Sequence, residues 1–180
     1  MDAFLKQMDE RQGCLFHLAT PLPGALRLVQ HLHAHGIPIA LATSSRRFKF
    51  LAKAQQSPEL FACFEGRTVC CDDFPGVARV KPEPDLFLLA ARERLGIDVG
   101  TLDRVCTDAQ AEVRAKGLVF EDSIVGVLAG KRAGMSGVFL SFGINRPAKQ
   151  LMTFPLSRFG SRSKPSKGHR FYRREARPRT

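Results

Sequence analysis

Short apolar runs that alternate with helix-like segments constrain the fold of this chain more than any other feature of its sequence. The run at 37–42 is apolar without alternation, which is typical of a strand that is buried on both faces of a parallel sheet. Further strand-like runs occur at 68–71, 118–120 and 138–140, and segments with helical spacing at 25–36, 46–55, 84–96 and 124–134. This alternation predicts an α/β fold with a parallel, doubly wound sheet, in which a ligand site lies beyond the carboxyl ends of the strands.

Polar clusters follow these predicted strands, or lie in the loops after them, at three places: Thr43-Ser44-Ser45-Arg46, Lys81-Pro82-Glu83-Pro84-Asp85 and Glu121-Asp122-Ser123. We expect the clusters to converge on one crevice. Hydroxyl groups and the free N–H groups of a helix N-terminus can hold a phosphate, whose charge a lysine ammonium neutralises. Adjacent carboxylates suit a Mg²⁺ ion that also binds a phosphate oxygen. Each cluster alone is commonly a helix cap or a solvated turn, so the prediction of a phosphate and magnesium site depends on the combination.

The order and spacing of these clusters make the combination specific. The segments 42–46, 81–87 and 119–135 closely resemble motifs of the haloacid dehalogenase-like (HAD) hydrolase superfamily, and the most specific stretch is FEDSIVGVLAGKRAGM at 120–135. The resemblance covers about residues 4–140. It is nearest to the branch with a helical cap that dephosphorylates sugar phosphates and nucleotide-like monophosphates, including the pseudouridine 5′-phosphatase and 2-deoxyglucose-6-phosphatase group. The resemblance implies a Rossmann-like core, a Mg²⁺ cofactor and a small phosphorylated metabolite as substrate.

The resemblance also implies a role for each matching residue. Thr43 matches the hydroxyl that binds the substrate phosphate, and Ser44 offers its backbone N–H to the same group. Lys81 matches the lysine that holds the transferring phosphoryl group and offsets the charge of the nucleophile. Glu121 and Asp122 match the acidic pair that helps bind Mg²⁺ directly or through water. For the next residue, Ser123, we favour a structural role as the cap of the following helix over a catalytic one.

One family motif, a strand that ends in DxDxT or DxDxV, is absent from this sequence. In the family its first Asp attacks phosphorus and its second acts as general acid and base. The pair Asp72-Asp73 follows the wrong strand, and Asp2, Asp9 and Asp108 lack a preceding apolar run. We therefore expect an N-terminally truncated member that is inactive as this chain. The family's missing first strand would lie between the strands that end near Ala42 and Phe120, so its loss is expected to weaken the fold.

The chain divides into three expected parts, of which the last carries most of its charge. Residues 1–20 resemble a remnant of the helical cap, and 21–145 resemble the HAD-like core. Residues 146–180 hold 11 of the 28 Lys and Arg residues but 1 of the 17 acidic residues, so most of the net charge of +11 lies there. This basic tail keeps no apolar period, which predicts disorder. Nucleic-acid binding through the tail is an alternative function, although a solvated extension is the favoured interpretation.

Composition and cysteine usage narrow the remaining classes of protein. The five cysteines are odd in number and form no CxxC pair, which argues against a disulfide framework and a zinc site. Because the sequence has no apolar run of membrane-spanning length and no leader, we expect a cytoplasmic protein that does not bind membranes.

The favoured function is that of a Mg²⁺-dependent phosphatase whose substrate is a small phosphomonoester. This chain alone is not expected to hydrolyse that substrate. The other alternative is a non-catalytic phosphate-binding or regulatory fragment.

Overall fold

Two small sheets form the centre of the fold, and each contains one pair of parallel strands. The computed structural model describes residues 7, 11–13, 15–76, 78–102, 104–140 and 151–154. Strand β1 (Leu41–Thr43) pairs in parallel with β2 (Thr68–Cys70), and β3 (Leu118–Glu121) pairs in parallel with β4 (Ser136–Leu140). A fifth strand, β5 (Leu151–Phe154), pairs antiparallel with β4. In the described part of the chain, β1 and β3 do not pair with each other, so each has one edge without a strand partner.

Helices separate the strands along the chain. Among them are the α-helices α1 (Ala25–Ala34), α2 (Arg47–Ala54), α3 (Pro58–Ala62), α4 (Asp85–Leu89), α5 (Asp108–Ala115) and α6 (Ile124–Arg132). A turn of π-helix, Ala90–Arg94, continues α4. Local sequence signals explain where two of these helices end or begin. Gly36, which has a positive φ of 65°, follows the end of α1. A capping box of Thr107 and Gln110 begins α5.

Helix α4 and its π-helical continuation connect the cores of the two sheets. Leu86 and Leu89 are buried in one apolar cluster with Val69 of β2. Leu88 is buried in a second cluster with Val119 of β3. Burial of a leucine side chain stabilises the folded state by roughly 1.5–3 kcal/mol. Because the leucines of this helix are buried against both sheets, the helix holds the two sheets together. The loop that precedes α4 thereby comes to lie close to the ends of β1 and β3.

The α/β class and the parallel sheet predicted from the sequence are confirmed. The strand predicted at 37–42 is wrong in extent, because β1 begins at Leu41. It is also wrong in burial, because all three β1 residues are only half-buried. The reason is that β1 has a partner strand on one side alone in the described residues. The fully buried pattern expected there occurs instead in β2, where Val69 and Cys70 have no exposed surface.

Some elements are not predicted by local sequence patterns, among them α3 and β5. Helix α3 was not predicted, because it is five residues long and too short to show a helical period. The prediction of disorder for 146–180 is wrong for Leu151–Phe154, which form β5 on the edge of β4. The unpaired N–H and C=O groups of a sheet edge can pair with a short segment that is too short to show a strand pattern in its own sequence. The other residues of that tail, and most of the expected cap remnant at 1–20, lie outside the described residues. The proposed division at residues 20 and 145 stays a prediction.

No helix in the described residues combines the length and the apolar character that a membrane span requires.

Candidate functional site

The ammonium group of Lys81 connects the carboxyl ends of β1 and β3. Its Nζ donates a hydrogen bond to the backbone oxygen of Ala42 at 3.1 Å and forms an ion pair with Oε1 of Glu121. The side chains of Lys81 and Glu121 are each 9% exposed. The ammonium also lies 4.7 Å from the ring centroid of Phe87, the third residue of α4. The three polar clusters of the sequence therefore meet at one place, with Lys81 between the other two.

The turn after β1 presents hydroxyl groups at this place. Thr43 is the last residue of β1 and is half-buried, and its Oγ1 accepts a hydrogen bond from the backbone N–H of Ser45 at 3.1 Å. Ser44 is exposed. The backbone oxygen of Ser45 accepts from the N–H of Cys71 at 3.3 Å, which attaches the turn to the end of β2. The turn is thus held from both sides, and the hydroxyl of Thr43 still has its proton to donate.

The acidic turn after β3 is organised by Ser123. The Ser123 hydroxyl donates to Oε2 of Glu121 at 3.0 Å and accepts from the N–H of Gly126 at 3.1 Å. The capping role predicted for Ser123 is confirmed, because that second bond caps α6. A Cβ atom at Gly126 would overlap the Glu121 carboxylate, so glycine leaves the space that this carboxylate occupies. Asp122 is exposed beside it.

A carboxylate of the second polar cluster, for which the sequence predicts no role of its own, closes the loop that carries Lys81. Asp85 is fully buried and accepts from the backbone N, Nε and Nη2 of Arg79 at 2.8, 3.0 and 3.0 Å. Burial opposes the charged form of Asp85, but the hydrogen bonds and the charge of Arg79 outweigh it and lower the pKa of this carboxyl. The available signal was the acidic residue at the first position of α4, six residues after an arginine.

The same loop is attached to α6 from its other side. Arg132 donates from Nη1 to the backbone oxygen of Pro82 at 3.2 Å and to Oε1 of Glu83 at 2.7 Å. Since α6 begins directly after the acidic turn, this contact holds the loop with Lys81 at a fixed distance from the turn with Glu121. The sequence does not reveal the contact, because it joins residues about 50 positions apart.

The pair Asp72-Asp73 has structural partners at the end of β2. The carboxylate of Asp73 accepts hydrogen bonds from the guanidinium of Arg47 and from the backbone N–H of Cys70, the latter at 2.8 Å. The carboxylate of Asp72 accepts a hydrogen bond from the backbone N–H of Arg47 at 2.8 Å. Ligand atoms of Cys70, Asp72 and Asp73 lie within 4.8 Å of one another. Burial, however, raises the pKa of the Cys70 thiol to about 11, which disfavours the thiolate that a metal would need. The contacts of this group hold the start of α2 against β2.

Comparison with known proteins supports a family assignment. Residues 2–134 match the hydrolase family described as haloacid dehalogenase-like hydrolase. The chain is 38% identical over 137 residues to (DL)-glycerol-3-phosphatase 2 of Arabidopsis thaliana, an alignment that covers 76% of this chain and 51% of the relative. It is 37% identical over 139 residues to a probable pseudouridine-5′-phosphatase of Drosophila melanogaster, which covers 77% of this chain and 54% of that relative.

A solved structure is similar as well. A HAD family hydrolase from Deinococcus radiodurans, with bound phosphate and sodium, superposes with a TM-score of 0.58 at 27% identity. That alignment covers 74% of this chain and 50% of the solved one. The chain thus spans about half the length of the curated relatives described above. The family match includes the residues at the carboxyl ends of β1, β2 and β3. The chain belongs to the haloacid dehalogenase-like hydrolase family.

Proposed function

We propose that this chain supplies the phosphate-binding and Mg²⁺-binding part of a phosphatase site for a small phosphomonoester. The observation that carries the proposal is the contact of one buried lysine with both strand ends, Lys81 with the backbone oxygen of Ala42 and with Glu121. Relatives named for glycerol 3-phosphate and pseudouridine 5′-phosphate support a substrate in which the phosphate is esterified to a small alcohol or a sugar.

In this proposal the phosphate lies at the end of β1. The hydroxyl of Thr43 and the backbone N–H of Ser44 donate to phosphate oxygens, as the turn before α2 leaves N–H groups without helical partners. Lys81 provides an ammonium whose position is set by its bond to the neighbouring Ala42 oxygen. Donors that are already oriented bind an anion without a large loss of side-chain entropy.

The acidic turn fits a Mg²⁺ ion by the chemistry of its donors. Asp122 presents an exposed carboxylate, and the carboxylate of Glu121 next to it retains lone pairs beyond those used by Lys81 and Ser123. Carboxylate oxygens combined with water and a substrate phosphate are the ligands that Mg²⁺ prefers. A bound Mg²⁺ would neutralise charge on the phosphate. Asp122 is the residue that we assign to direct contact, while Glu121 also orients Lys81.

We further propose that this chain alone binds a phosphomonoester without efficient turnover. Its sequence contains no DxD segment, and Glu121 is occupied by the ion pair with Lys81. Loss of a covalent nucleophile typically lowers the rate by about 10⁴ to 10⁶. A non-catalytic phosphate-binding or regulatory role is therefore the outcome expected for the isolated chain, and a segment of another chain that carries the nucleophile would be needed for hydrolysis.

The test compares binding with turnover in the full chain. Titration of the ¹⁵N-labelled protein with inorganic phosphate, with and without Mg²⁺, is expected to shift the amide signals of Thr43 and Ser44. The variant Lys81→Met should weaken binding about tenfold or more, whereas Lys116→Met, at an exposed position after α5, should not. Release of phosphate from p-nitrophenyl phosphate should stay near the background. A chain that does not bind phosphate contradicts the proposed site, and multiple turnovers contradict the proposed inactivity.

Nucleic-acid binding through the basic tail and a cytoplasmic location both stay predictions. The charge excess of the tail is the feature that favours nucleic-acid binding. In the full chain, replacement of Arg173 and Arg174 by glutamine should lower the affinity for single-stranded RNA and reduce its salt dependence if the tail binds phosphates. Equal affinity of the variant and the wild type would remove this alternative.

A further inference from the structure

Without Mg²⁺, the charges of the side chains around the proposed phosphate site compensate a phosphate anion poorly. The charge of Lys81 is matched by Glu121, with which it forms a buried ion pair. The next residue, Asp122, adds a negative charge at the same turn. A phosphate monoester near neutral pH carries close to two negative charges. A second cation close to Thr43 would therefore improve binding of the dianion considerably.

Lys53 of α2 has the required position. Its Nζ donates to Oγ of Ser45 at 2.8 Å, and Ser45 in turn donates its backbone N–H to Oγ1 of Thr43. The ammonium lies 5.6 Å from the ring centroid of Phe16. The side chain is half-buried, and within the described ranges no carboxylate lies at ion-pair distance from it. Lys53 thus holds a positive charge beside the phosphate turn that its contacts do not neutralise.

A cavity of about 240 Å³ connects Lys53 with the end of β1. Thr43 and Lys53 both line it. Its other walls are largely apolar and include Leu41, Phe50, Leu60 and Phe61. An ammonium in such surroundings is less hydrated than one on an open surface, and its attraction for an anion is therefore stronger.

We propose that Lys53 is a second phosphate-binding lysine, which reaches the substrate from this cavity and makes the site selective for a phosphate dianion. The inference rests on the proposed function, because it assumes that the phosphate lies at Thr43. It gives a physical reason why the site would bind the phosphomonoesters of the proposed function more tightly than phosphodiesters, which carry a single negative charge. Lys53 would donate to a phosphate oxygen directly, with Ser45 holding the ammonium in place.

The experiment measures the affinity of full-length variants for inorganic phosphate by calorimetry. Lys53→Met removes the charge at similar length, and Lys53→Arg retains it. Lys49→Met is the matched control, since it removes a lysine one turn earlier on the same helix. We expect the Kd to rise about tenfold in Lys53→Met, to change by about twofold or less in Lys49→Met, and to stay close to the wild type in Lys53→Arg. Equal values for Lys53→Met and Lys49→Met overturn the inference.

A second comparison tests the selectivity. Wild-type protein should bind methyl phosphate more tightly than dimethyl phosphate, and Lys53→Met should lose most of that preference. Arg46, which is exposed and precedes α2, is the competing cation. A loss of affinity in Arg46→Met that exceeds the loss in Lys53→Met would assign the charge to Arg46 and overturn the inference.

The outcomes separate this inference from the proposed function. Failure of the wild type to bind phosphate, or an unchanged Kd in Lys81→Met, contradicts the proposed site itself. Binding that depends on Lys81 and not on Lys53 contradicts the inference alone. If Lys53→Met does not fold, the wild type still decides the question, because phosphate must shift the side-chain ε-CH₂ resonance of Lys53 and not that of Lys49. The absence of that shift overturns the inference.

Discussion

Asp85 and Arg79 close the loop that holds Lys81: the buried carboxylate of Asp85 accepts three hydrogen bonds from Arg79, two from the guanidinium and one from the backbone. Lys81 lies between these two residues in the chain. Its ammonium is therefore carried by a loop whose ends are attached to each other and whose middle is attached to α6 through Arg132. The site has a rigid support although its residues come from distant parts of the sequence.

This relationship predicts how the stability of the protein depends on pH. Because the pKa of Asp85 is lowered in the folded state, its contribution to the free energy of unfolding is present above the unfolded pKa of about 3.9 and is lost as the pH falls through the folded pKa. Urea unfolding should show a steeper loss of stability below about pH 4 in the wild type than in Asp85→Asn. At pH 7 the variant should be less stable by about 1–3 kcal/mol.

The control for this experiment is Glu112→Gln, a charge removal at an exposed position of α5. Its pH profile should follow that of the wild type. A profile of Asp85→Asn that is also indistinguishable from the wild type would show that the buried carboxylate does not contribute in this way.

The ion pair of Lys81 with Glu121 predicts strong coupling between two substitutions. Both side chains are 9% exposed, so removal of one charge leaves the other in surroundings of low polarity. Lys81→Met and Glu121→Gln should each lower the free energy of unfolding by about 3 kcal/mol. The double variant should lose less than the sum of the two, because neither charge is then left without its partner. Additive losses in urea unfolding would contradict a direct interaction.

Gly126 predicts a further effect on the same carboxylate. Alanine in the middle of a helix usually stabilises by about 0.5–1 kcal/mol relative to glycine. At Gly126 the added Cβ would collide with the Glu121 carboxylate, so Gly126→Ala should lower the melting temperature and weaken phosphate binding. Gly130→Ala, in the same helix, places its Cβ 3.3 Å from Cβ of Val119 and should be tolerated better. A melting temperature of Gly126→Ala at or above that of the wild type would exclude the collision.

The parts of the fold that depend on residues close together in the sequence were predictable. The cap at Ser123 follows from a short pattern of polar and apolar residues, and the predicted end of the first strand at Ala42 lies one residue before the observed end of β1 at Thr43. The extent of β1 was not predictable, because whether Ile37 joins a strand depends on a partner that the local sequence does not contain. Strand β5 is a similar case, since Leu151–Phe154 become a strand by pairing with β4.

The sequence by itself determined the α/β alternation, the family and the residue types that phosphate and Mg²⁺ require, because these depend on local spacing and on the chemistry of single side chains. Only the tertiary structure decided which groups are partners. It paired Lys81 with a carboxylate 40 positions away and left Lys53 beside Ser45 with its charge unmatched in the described part of the chain. These partners depend on tertiary packing, because α4 packs against both sheets and thereby determines which charged groups come into contact.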